Sequence, residues 1–289
     1  MSTSTGPESA IGVFDSGIGG ISVLRALHNE LPLEKFVYVA DAGHAPYGER
    51  DDAYLLARAH AITRHLIERH AIKALVIACN TATAAAIREL RQTYPDLPIV
   101  GIEPALKPAA AVSKTGLIGV MATRGTLKSE KFGNLLKSLQ GAATFVLQPC
   151  DGLADAIEHE DAIKIEALCA QYTRAMGTFG SNFGEMDTLV LGCTHYPFIA
   201  NQLVAKMGAD VIQLEGGAPV ARQTRRLLTE RQALMPEQTP SGAQTERLVF
   251  FSTGDARALA TAALRWMSAD VGASAIDISN LRTAGGLVC

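Results

Sequence analysis

Short apolar runs alternate along the chain with longer stretches in which apolar residues recur at helical spacing. A typical helical stretch covers residues 52–70, where Leu55, Ile62 and Leu66 fall near one face. The short runs are apolar throughout, as expected for parallel strands that helices cover on both faces. The alternation therefore predicts βαβ units and an α/β protein. The predicted strands are residues 11–14, 36–39, 74–78, 99–102, 117–120, 144–147, 189–192, 211–214 and 248–251.

Two of the predicted strands end in a similar way. Residues 74–81 read Ala-Leu-Val-Ile-Ala-Cys-Asn-Thr, and residues 188–195 read Thr-Leu-Val-Leu-Gly-Cys-Thr-His. Their separation is close to the length of a small domain. We interpret them as the corresponding strands of two similar α/β halves, while chance similarity between two buried strands stays open as the alternative.

Composition and charge narrow the class of protein. The chain has 26 basic and 29 acidic residues, a formal charge of −3 and a pI of about 6.2, which does not fit a dedicated nucleic-acid binder. No apolar run reaches the roughly 18 residues that span a bilayer, and residues 1–10 lack the features of a signal peptide. With five cysteines, an odd number, we expect free thiols in the cytoplasm rather than a disulfide framework.

Candidate chemistry is concentrated where the paired strands end. Sites in open α/β sheets lie beyond the carboxyl ends of the strands, so Cys79 and Cys193 are expected to face one cleft from opposite halves. A helix N-terminus lowers the pKa of a thiol below its usual value of about 8.5, which suits acid–base work. The next residues can hold a carboxylate or an ammonium group: Asn80, Thr81, Thr194 and His195.

Three chemistries compete for these residues. Cys79, Cys193 and His195 could bind zinc, although the usual framing of two cysteines a few residues apart is missing. A cysteine hydrolase would use Cys193 with His195 and leave Cys79 without a role. Two thiols on opposite walls suit two-base racemisation, in which one removes a proton and the other returns one. No lysine lies in a pattern that marks a Schiff-base site for a pyridoxal cofactor.

Two further motifs follow predicted strands. Phe14-Asp15-Ser16-Gly17-Ile18-Gly19-Gly20 is a glycine-rich turn that could approach an anion, but Ser22 replaces the last glycine of the dinucleotide fingerprint. An ordinary tight turn with Asp15 as a helix cap is the alternative. Pro46-Tyr47-Gly48 offers a hydroxyl and a close approach to backbone, yet alone it indicates only a loop.

With these motifs the chain resembles the glutamate racemase family, which belongs to the aspartate/glutamate racemase superfamily. The resemblance runs from about residue 11 to about residue 255. In addition to the two motifs above, it is carried by Ala78-Cys79-Asn80-Thr81-Ala82-Thr83-Ala84, Gly101-Ile102-Glu103-Pro104-Ala105, Thr123-x-x-Thr126-x-x-Ser129, Leu191-Gly192-Cys193-Thr194-His195-Tyr196-Pro197 and Thr253-Gly254-Asp255.

The resemblance implies two pseudo-symmetric parallel-sheet α/β domains with the active site in the cleft between them. We expect residues 1–103 plus 214–289 to form the domain of Cys79, and residues 104–213 to form that of Cys193. Each cysteine then serves one face of the substrate α-carbon, with help from Asp15 and His195, which also contact substrate. The other substrate-binding positions that the resemblance implies are Ser16, Pro46, Tyr47, Gly48, Asn80, Thr81, Thr126 and Thr194.

One motif departs from the family pattern. The family often has Cys-Pro with a glutamate eight residues beyond the cysteine, whereas this chain reads Gln148-Pro149-Cys150-Asp151. Glu158 keeps the spacing from Cys150, so we carry over its role as a catalytic helper without the proline. The chain after Asp255 is longer than the family minimum, and we assign residues 268–289 no role.

The resemblance implies a cofactor-independent racemase that interconverts L- and D-glutamate and supplies D-glutamate for peptidoglycan. Aspartate racemase, or a related isomerase of a small dicarboxylate, is the alternative. We expect a cytoplasmic homodimer without membrane or nucleic-acid partners. Some family members are reported to inhibit DNA gyrase; because this chain has no basic tract, we keep a gyrase interaction only as a subordinate alternative.

Overall fold

Two separate parallel sheets organise the chain in a computed structural model, which describes residues 6–236 and 247–278. The strands of these residues, numbered in chain order, are β1 Ile11–Asp15, β2 Phe36–Ala40, β3 Ala74–Ile77, β4 Ile99–Gly101, β5 Leu117–Ala122, β6 Thr144–Pro149, β7 Thr188–Gly192, β8 Ile212–Leu214, β9 Leu248–Ser252 and β10 Ala273–Ala275. The first sheet has the order β10-β9-β2-β1-β3-β4, and the second has the order β6-β5-β7-β8. Every pairing is parallel.

Helices connect the strands, as parallel pairing requires. They are α1 Ile21–Glu30, α2 Asp52–His70, α3 Asn80–Thr93, α4 Leu106–Val112, α5 Arg124–Lys128, α6 Glu130–Lys137, α7 Leu153–Glu158, α8 Ala162–Met176, α9 Ala200–Met207, α10 Gly217–Glu230 and α11 Ala256–Met267. Short 3-10 turns occur at Ala42–His44, Tyr47–Glu49 and Tyr196–Ile199.

The predicted α/β class and the nine predicted strands are confirmed. The helix expected at residues 52–70 is α2, whose first turn is capped by the Asp51 side chain. The tenth strand, β10, was not predicted because Ala-Ser-Ala carries almost no hydrophobic pattern; it pairs with β9 at the edge of the first sheet. Pro236, Pro240 and Gly242 in residues 235–246 predict a polar surface loop, and most of this stretch lies outside the described residues.

Burial on both faces explains why the central strands are apolar throughout. β1 lies between β2 and β3, and its Val13 and Phe14 are fully buried in two different hydrophobic clusters. Successive side chains of a strand point to opposite faces, so each cluster occupies one side of the sheet. The first sheet thus has a hydrophobic core on both faces. Polar side chains that could take part in a reaction lie at the ends of its strands.

The last part of the chain returns to the first sheet. β9 pairs with β2, and α10 packs against α1. The second sheet takes the strands between residues 117 and 214, so Leu214 at the end of β8 lies one residue past the predicted boundary. The division into residues 1–103 plus 214–289 and residues 104–213 stays a prediction.

Over residues 6–236 and 247–278, none of the helices combines the length and the apolar character needed to cross a membrane.

Candidate active site

A cavity of about 340 Å³ brings together residues that follow strands of both sheets. Cys79 follows β3 of the first sheet and Cys193 follows β7 of the second, and both line this cavity. Each thiol is nearly buried, with 6% and 7% of its surface exposed. The two similar strand ends in the sequence therefore place two thiols on one cavity.

Cys79 is the N-cap of α3. Its Sγ accepts a hydrogen bond from the Ala82 amide at 3.5 Å and donates to Ser16 Oγ at 3.9 Å. Burial, followed by the nearby carboxylate of Asp15, raises the pKa of Cys79 above its usual value. The expectation that the helix N-terminus lowers this pKa is wrong for Cys79, because desolvation outweighs the amide hydrogen bond. Burial therefore favours the neutral form of the Cys79 thiol.

Cys193 has a charged neighbour instead. Its Sγ lies 3.7 Å from His195 Nδ1, and His195 Nε2 lies 2.6 Å from a carboxylate oxygen of Glu158. Burial by itself lowers the pKa of His195, but the hydrogen bonds to Cys193 and Glu158 outweigh it and raise the pKa well above its usual value. A protonated His195 therefore lies between the Cys193 sulfur and the Glu158 carboxylate.

Glu158 also accepts hydrogen bonds from a residue of the first half of the chain, Ile18. Glu158 is the last residue of α7, and both its oxygens accept from the Ile18 amide, at 3.0 and 3.1 Å. The altered motif around Cys150 has therefore not moved Glu158 away from His195. Its role as a catalytic helper stays a prediction that this contact supports.

Asp15 stands behind the cavity wall and does not line it. Its fully buried carboxylate accepts from the amides of Gly17 and Gly20 at 3.2 and 2.9 Å, and Thr194 Oγ1 lies 3.4 Å away. Burial raises the pKa of Asp15, and the charge of His195 opposes that rise. Asp15 thus shapes the turn after β1, and we keep its assisting role as a prediction.

The loop 46–48 is anchored by a carboxylate that the sequence did not indicate. Pro46, Tyr47 and Gly48 line the cavity, and the Tyr47 hydroxyl donates to Asp41 at 2.5 Å. Burial alone raises the pKa of Asp41, but hydrogen bonds from Arg58 and Tyr47 outweigh it, so the pKa is lowered. The hydrogen bond to the charged Asp41 fixes the position of the Tyr47 side chain.

Polar side chains at the N-terminus of α3 form another part of the cavity wall. Asn80 Oδ1 is buried and has no hydrogen-bond partner among the residues described, and Thr81 Oγ1 lies 3.0 Å from Thr123 Oγ1. Thr126 does not line the cavity; its hydroxyl lies behind that of Thr81, at 3.4 Å. Ser16 and Thr194 do line it, as expected, whereas contact of Thr126 with substrate stays a prediction.

Several cavity residues were not predicted as site residues. Cys150 follows β6 directly, so the strand-end argument applied to Cys79 and Cys193 could have found it. Polar examples include Arg124, Asp151 and Ser252, and also Thr123 and Asp255, which belong to motifs that carry the resemblance. Within the described ranges, no three His, Cys, Asp or Glu side chains are arranged to hold a metal ion, so the zinc alternative has no geometric support.

Two parallel sheets that each send a strand-end cysteine into one shared cavity have the architecture of the racemase class that the sequence motifs indicated. A family model described as Asp/Glu/Hydantoin racemase matches residues 19–215. Over 251 residues the chain is 48% identical to a glutamate racemase of Ectopseudomonas mendocina, covering 86% of this chain and 90% of that protein. The chain belongs to the glutamate racemase family.

Solved structures agree with this assignment. The chain is similar to a glutamate racemase of Bacillus anthracis, with a TM-score of 0.80 and 30% identity over 94% of this chain and 98% of that one. It is also similar to the Escherichia coli glutamate racemase, solved with L-glutamate and the activator UDP-MurNAc-ala, with a TM-score of 0.77 and 28% identity over 93% and 98% of the two chains. The predicted family and fold class are confirmed.

Proposed function

We propose that the protein is a cofactor-independent glutamate racemase that works by two-base chemistry. The observation that carries the proposal is the placement of Cys79 and Cys193 on one cavity, each at the end of a strand from a different sheet. A substrate α-carbon between them would meet one thiol on each face.

The cavity offers the groups that an amino acid needs. Hydroxyls of Ser16, Thr81 and Thr194 can donate to a carboxylate. Asn80 Oδ1 lacks a partner within the described part of the chain, so it can accept from the substrate ammonium group. A buried acceptor without a partner is costly, and a bound ammonium group removes that cost.

In the proposed mechanism each thiol is the base in one direction and the acid in the other. With an anionic Cys193, its sulfur removes the α-proton and leaves the C–H electron pair on the α-carbon, delocalised into the carboxylate. Cys79, a neutral thiol, then donates its proton to the opposite face. The products are the other enantiomer, a neutral Cys193 and an anionic Cys79, which is the starting state for the reverse reaction.

The surroundings of each thiol suit this exchange. General acid–base catalysis is most efficient when the pKa of the catalyst lies near the working pH. Protonated His195 stabilises negative charge on Cys193, and the Ala82 amide and Ser16 hydroxyl are placed to stabilise it on Cys79. Because both cysteines are nearly buried, these few hydrogen bonds are the contacts that stabilise charge on each sulfur.

We further propose that the protein supplies D-glutamate for peptidoglycan synthesis, that it acts in the cytoplasm, and that it forms a homodimer. The family membership supports the first two points. Light scattering with and without glutamate tests the third, and the mass of a single chain under both conditions would contradict it.

The proposed activity is tested by offering purified protein a panel of L-amino acids and analysing the products by chiral chromatography. We expect D-glutamate to accumulate until the enantiomers are equal, before and after treatment with a chelator. Faster turnover of aspartate would identify a different dicarboxylate as the substrate. Activity that disappears with the chelator and returns with zinc would contradict the two-thiol chemistry.

A further inference from the structure

The turn after β1 is shaped to receive two side chains from the other half of the molecule. A Cβ atom placed on Gly17 would lie 2.3 Å from Glu158 Oε2, and one on Gly19 would lie 2.4 Å from His195 Nδ1. Neither glycine is among the residues with a positive φ. The requirement for glycine here comes from the close approach of Glu158 and His195, and not from backbone conformation.

The residue between the two glycines makes the polar contact. The Ile18 amide donates to both oxygens of Glu158, and the same carboxylate accepts from His195 at 2.6 Å. A neighbouring contact also joins the two halves, since Ser22 Oγ donates to the Thr194 carbonyl at 2.9 Å. The turn and the Glu158–His195 pair therefore fit together in shape and in hydrogen bonding.

The two thiols differ in where their partners come from. Cys79 is contacted by Ser16 Oγ and the Ala82 amide, which belong to the same sheet half as Cys79. Cys193 is contacted by His195, which depends on Glu158, and Glu158 is held by Ile18 of the opposite half. Among these contacts to the two thiols, only the chain of contacts that ends at Cys193 includes residues of both halves.

We propose that the segment Gly17-Ile18-Gly19 is a positioning element for the Cys193 side of the reaction. The Ile18 amide fixes the Glu158 carboxylate, which fixes His195 against the Cys193 sulfur. The segment transfers no proton; its glycines leave the space that this chain of contacts occupies. The inference rests on the proposed two-thiol function and assigns to the first half a part in activating the cysteine of the second.

Gly17→Ala is the variant that separates this role from a general structural one. The added methyl group meets the far end of the flexible Glu158 side chain, so the carboxylate can move aside while the fold is kept. We expect kcat/KM to fall by about ten- to a hundredfold, the loss typical of a missing hydrogen bond to a charged group. Gly133→Ala in α6 is the matched control, because nothing lies within 4 Å of its added Cβ, and it should leave activity unchanged.

A double-mutant cycle tests whether Gly17 acts through Glu158. Glu158→Gln weakens the same contacts, so adding Gly17→Ala to it should produce little further loss. Gly19→Ala, which displaces His195, should behave in the same way and serves as the second variant if Gly17→Ala does not fold. Losses that multiply in the double variant, or wild-type kcat/KM in a folded Gly17→Ala protein, would overturn the proposal.

Isotope effects show which thiol is affected. With α-deuterated L- and D-glutamate, Gly17→Ala should increase the primary isotope effect for the enantiomer that loses its proton to Cys193 and not for the other. A merely structural defect would leave both effects as in the wild type, and that result contradicts the proposal. If Cys193→Ser is inactive while folded Gly17→Ala is normal, only the positioning role fails; if Cys193→Ser is fully active, the two-thiol function fails as well.

Discussion

Arg58 and Asp41 form a buried, bidentate ion pair, and Asp41 also contacts Tyr47 of the cavity loop. Arg58 Nε and Nη2 donate to the two carboxylate oxygens of Asp41 at 2.9 and 2.8 Å. The Asp41 oxygens also accept from the hydroxyls of Tyr47 and Thr253, at 2.5 and 2.9 Å. One carboxylate therefore joins α2, the cavity loop and the residue after β9, so the cavity wall depends on a pair that does not line it.

Replacing Asp41 by asparagine should destabilise the protein. The change leaves the Arg58 guanidinium buried without its counter-charge, and breaking a buried pair in this way costs about 3–5 kcal/mol. The free energy of unfolding, measured by urea denaturation, should fall by that amount. Arg226→Ala, which breaks the exposed pair between Arg226 and Glu230, is the control and should cost less than about 1 kcal/mol. Equal effects of the two variants would contradict the structural role of Asp41.

Replacing Asn80 by alanine should weaken substrate binding without weakening the fold. In the part of the chain described here, the buried Asn80 Oδ1 has no partner, so its removal deletes no hydrogen bond of that oxygen in the free protein. We expect KM for glutamate to rise about tenfold, the effect of one hydrogen bond to a charged group. Steady-state kinetics and a thermal melt measure the two quantities. A large drop in melting temperature with unchanged KM would show that Asn80 is structural.

Stability at acid pH should depend on Asp187. Its carboxylate accepts from the amides of Lys114 and Thr115 and the hydroxyls of Ser113 and Thr188, at 2.6 to 3.1 Å. Burial by itself raises the pKa of Asp187, but these hydrogen bonds lower it from 3.8 to about 2. A lowered folded pKa stabilises the protein above pH 4, and this contribution is lost as the pH falls toward 2.

The shift corresponds to about 2 kcal/mol at neutral pH. Denaturation curves recorded between pH 5 and pH 2 should show this loss in the wild type. In Asp187→Asn the slope over the same range should be smaller, because the titrating group is gone. A slope unaffected by the substitution would mean that other carboxylates account for the acid sensitivity.

Cys150 should be dispensable although it lines the cavity with the two other thiols. Its Sγ donates to the Gln148 carbonyl at 3.3 Å, and burial raises its pKa, so it stays a neutral thiol. No charged partner comparable to His195 contacts it among the hydrogen bonds of the described residues. Cys150→Ala should keep kcat/KM within about threefold of the wild type. A loss as complete as that expected for Cys193→Ser would require a third thiol in the mechanism.

The sequence predicted those features that depend on local pattern. Apolar strands and the ends at Cys79 and Cys193 could be located because burial and strand-to-helix transitions leave a signal within a few residues. β10 was missed because Ala273–Ala275 has no such signal and exists only through its pairing with β9. Its position depends on the rest of the sheet.

Contacts between residues far apart in the chain could not be predicted from the sequence. Asp41 and Arg58 are 17 positions apart, and Ile18 and Glu158 are 140 apart, so no local pattern indicates either contact. The lowered pKa expected for Cys79 was wrong for a related reason: a helix N-terminus can be recognised locally, but the burial that outweighs it depends on the assembled core. Thr126 was predicted to contact substrate, but its hydroxyl lies 3.4 Å from that of Thr81 and the residue does not line the cavity, so that contact stays a prediction.

The central claim is that Cys79 and Cys193 serve opposite faces of one α-carbon. Elimination of HX from a β-substituted glutamate tests this directly, since the thiolate removes the α-proton and X leaves from the β-carbon, so only one base is needed. Cys79→Ser and Cys193→Ser should both lose racemisation, which needs both thiols. Each should still eliminate HX from one enantiomer of the analogue, and the two variants should use opposite enantiomers. Elimination from the same enantiomer by both variants, or near-wild-type racemisation by either, would contradict the account.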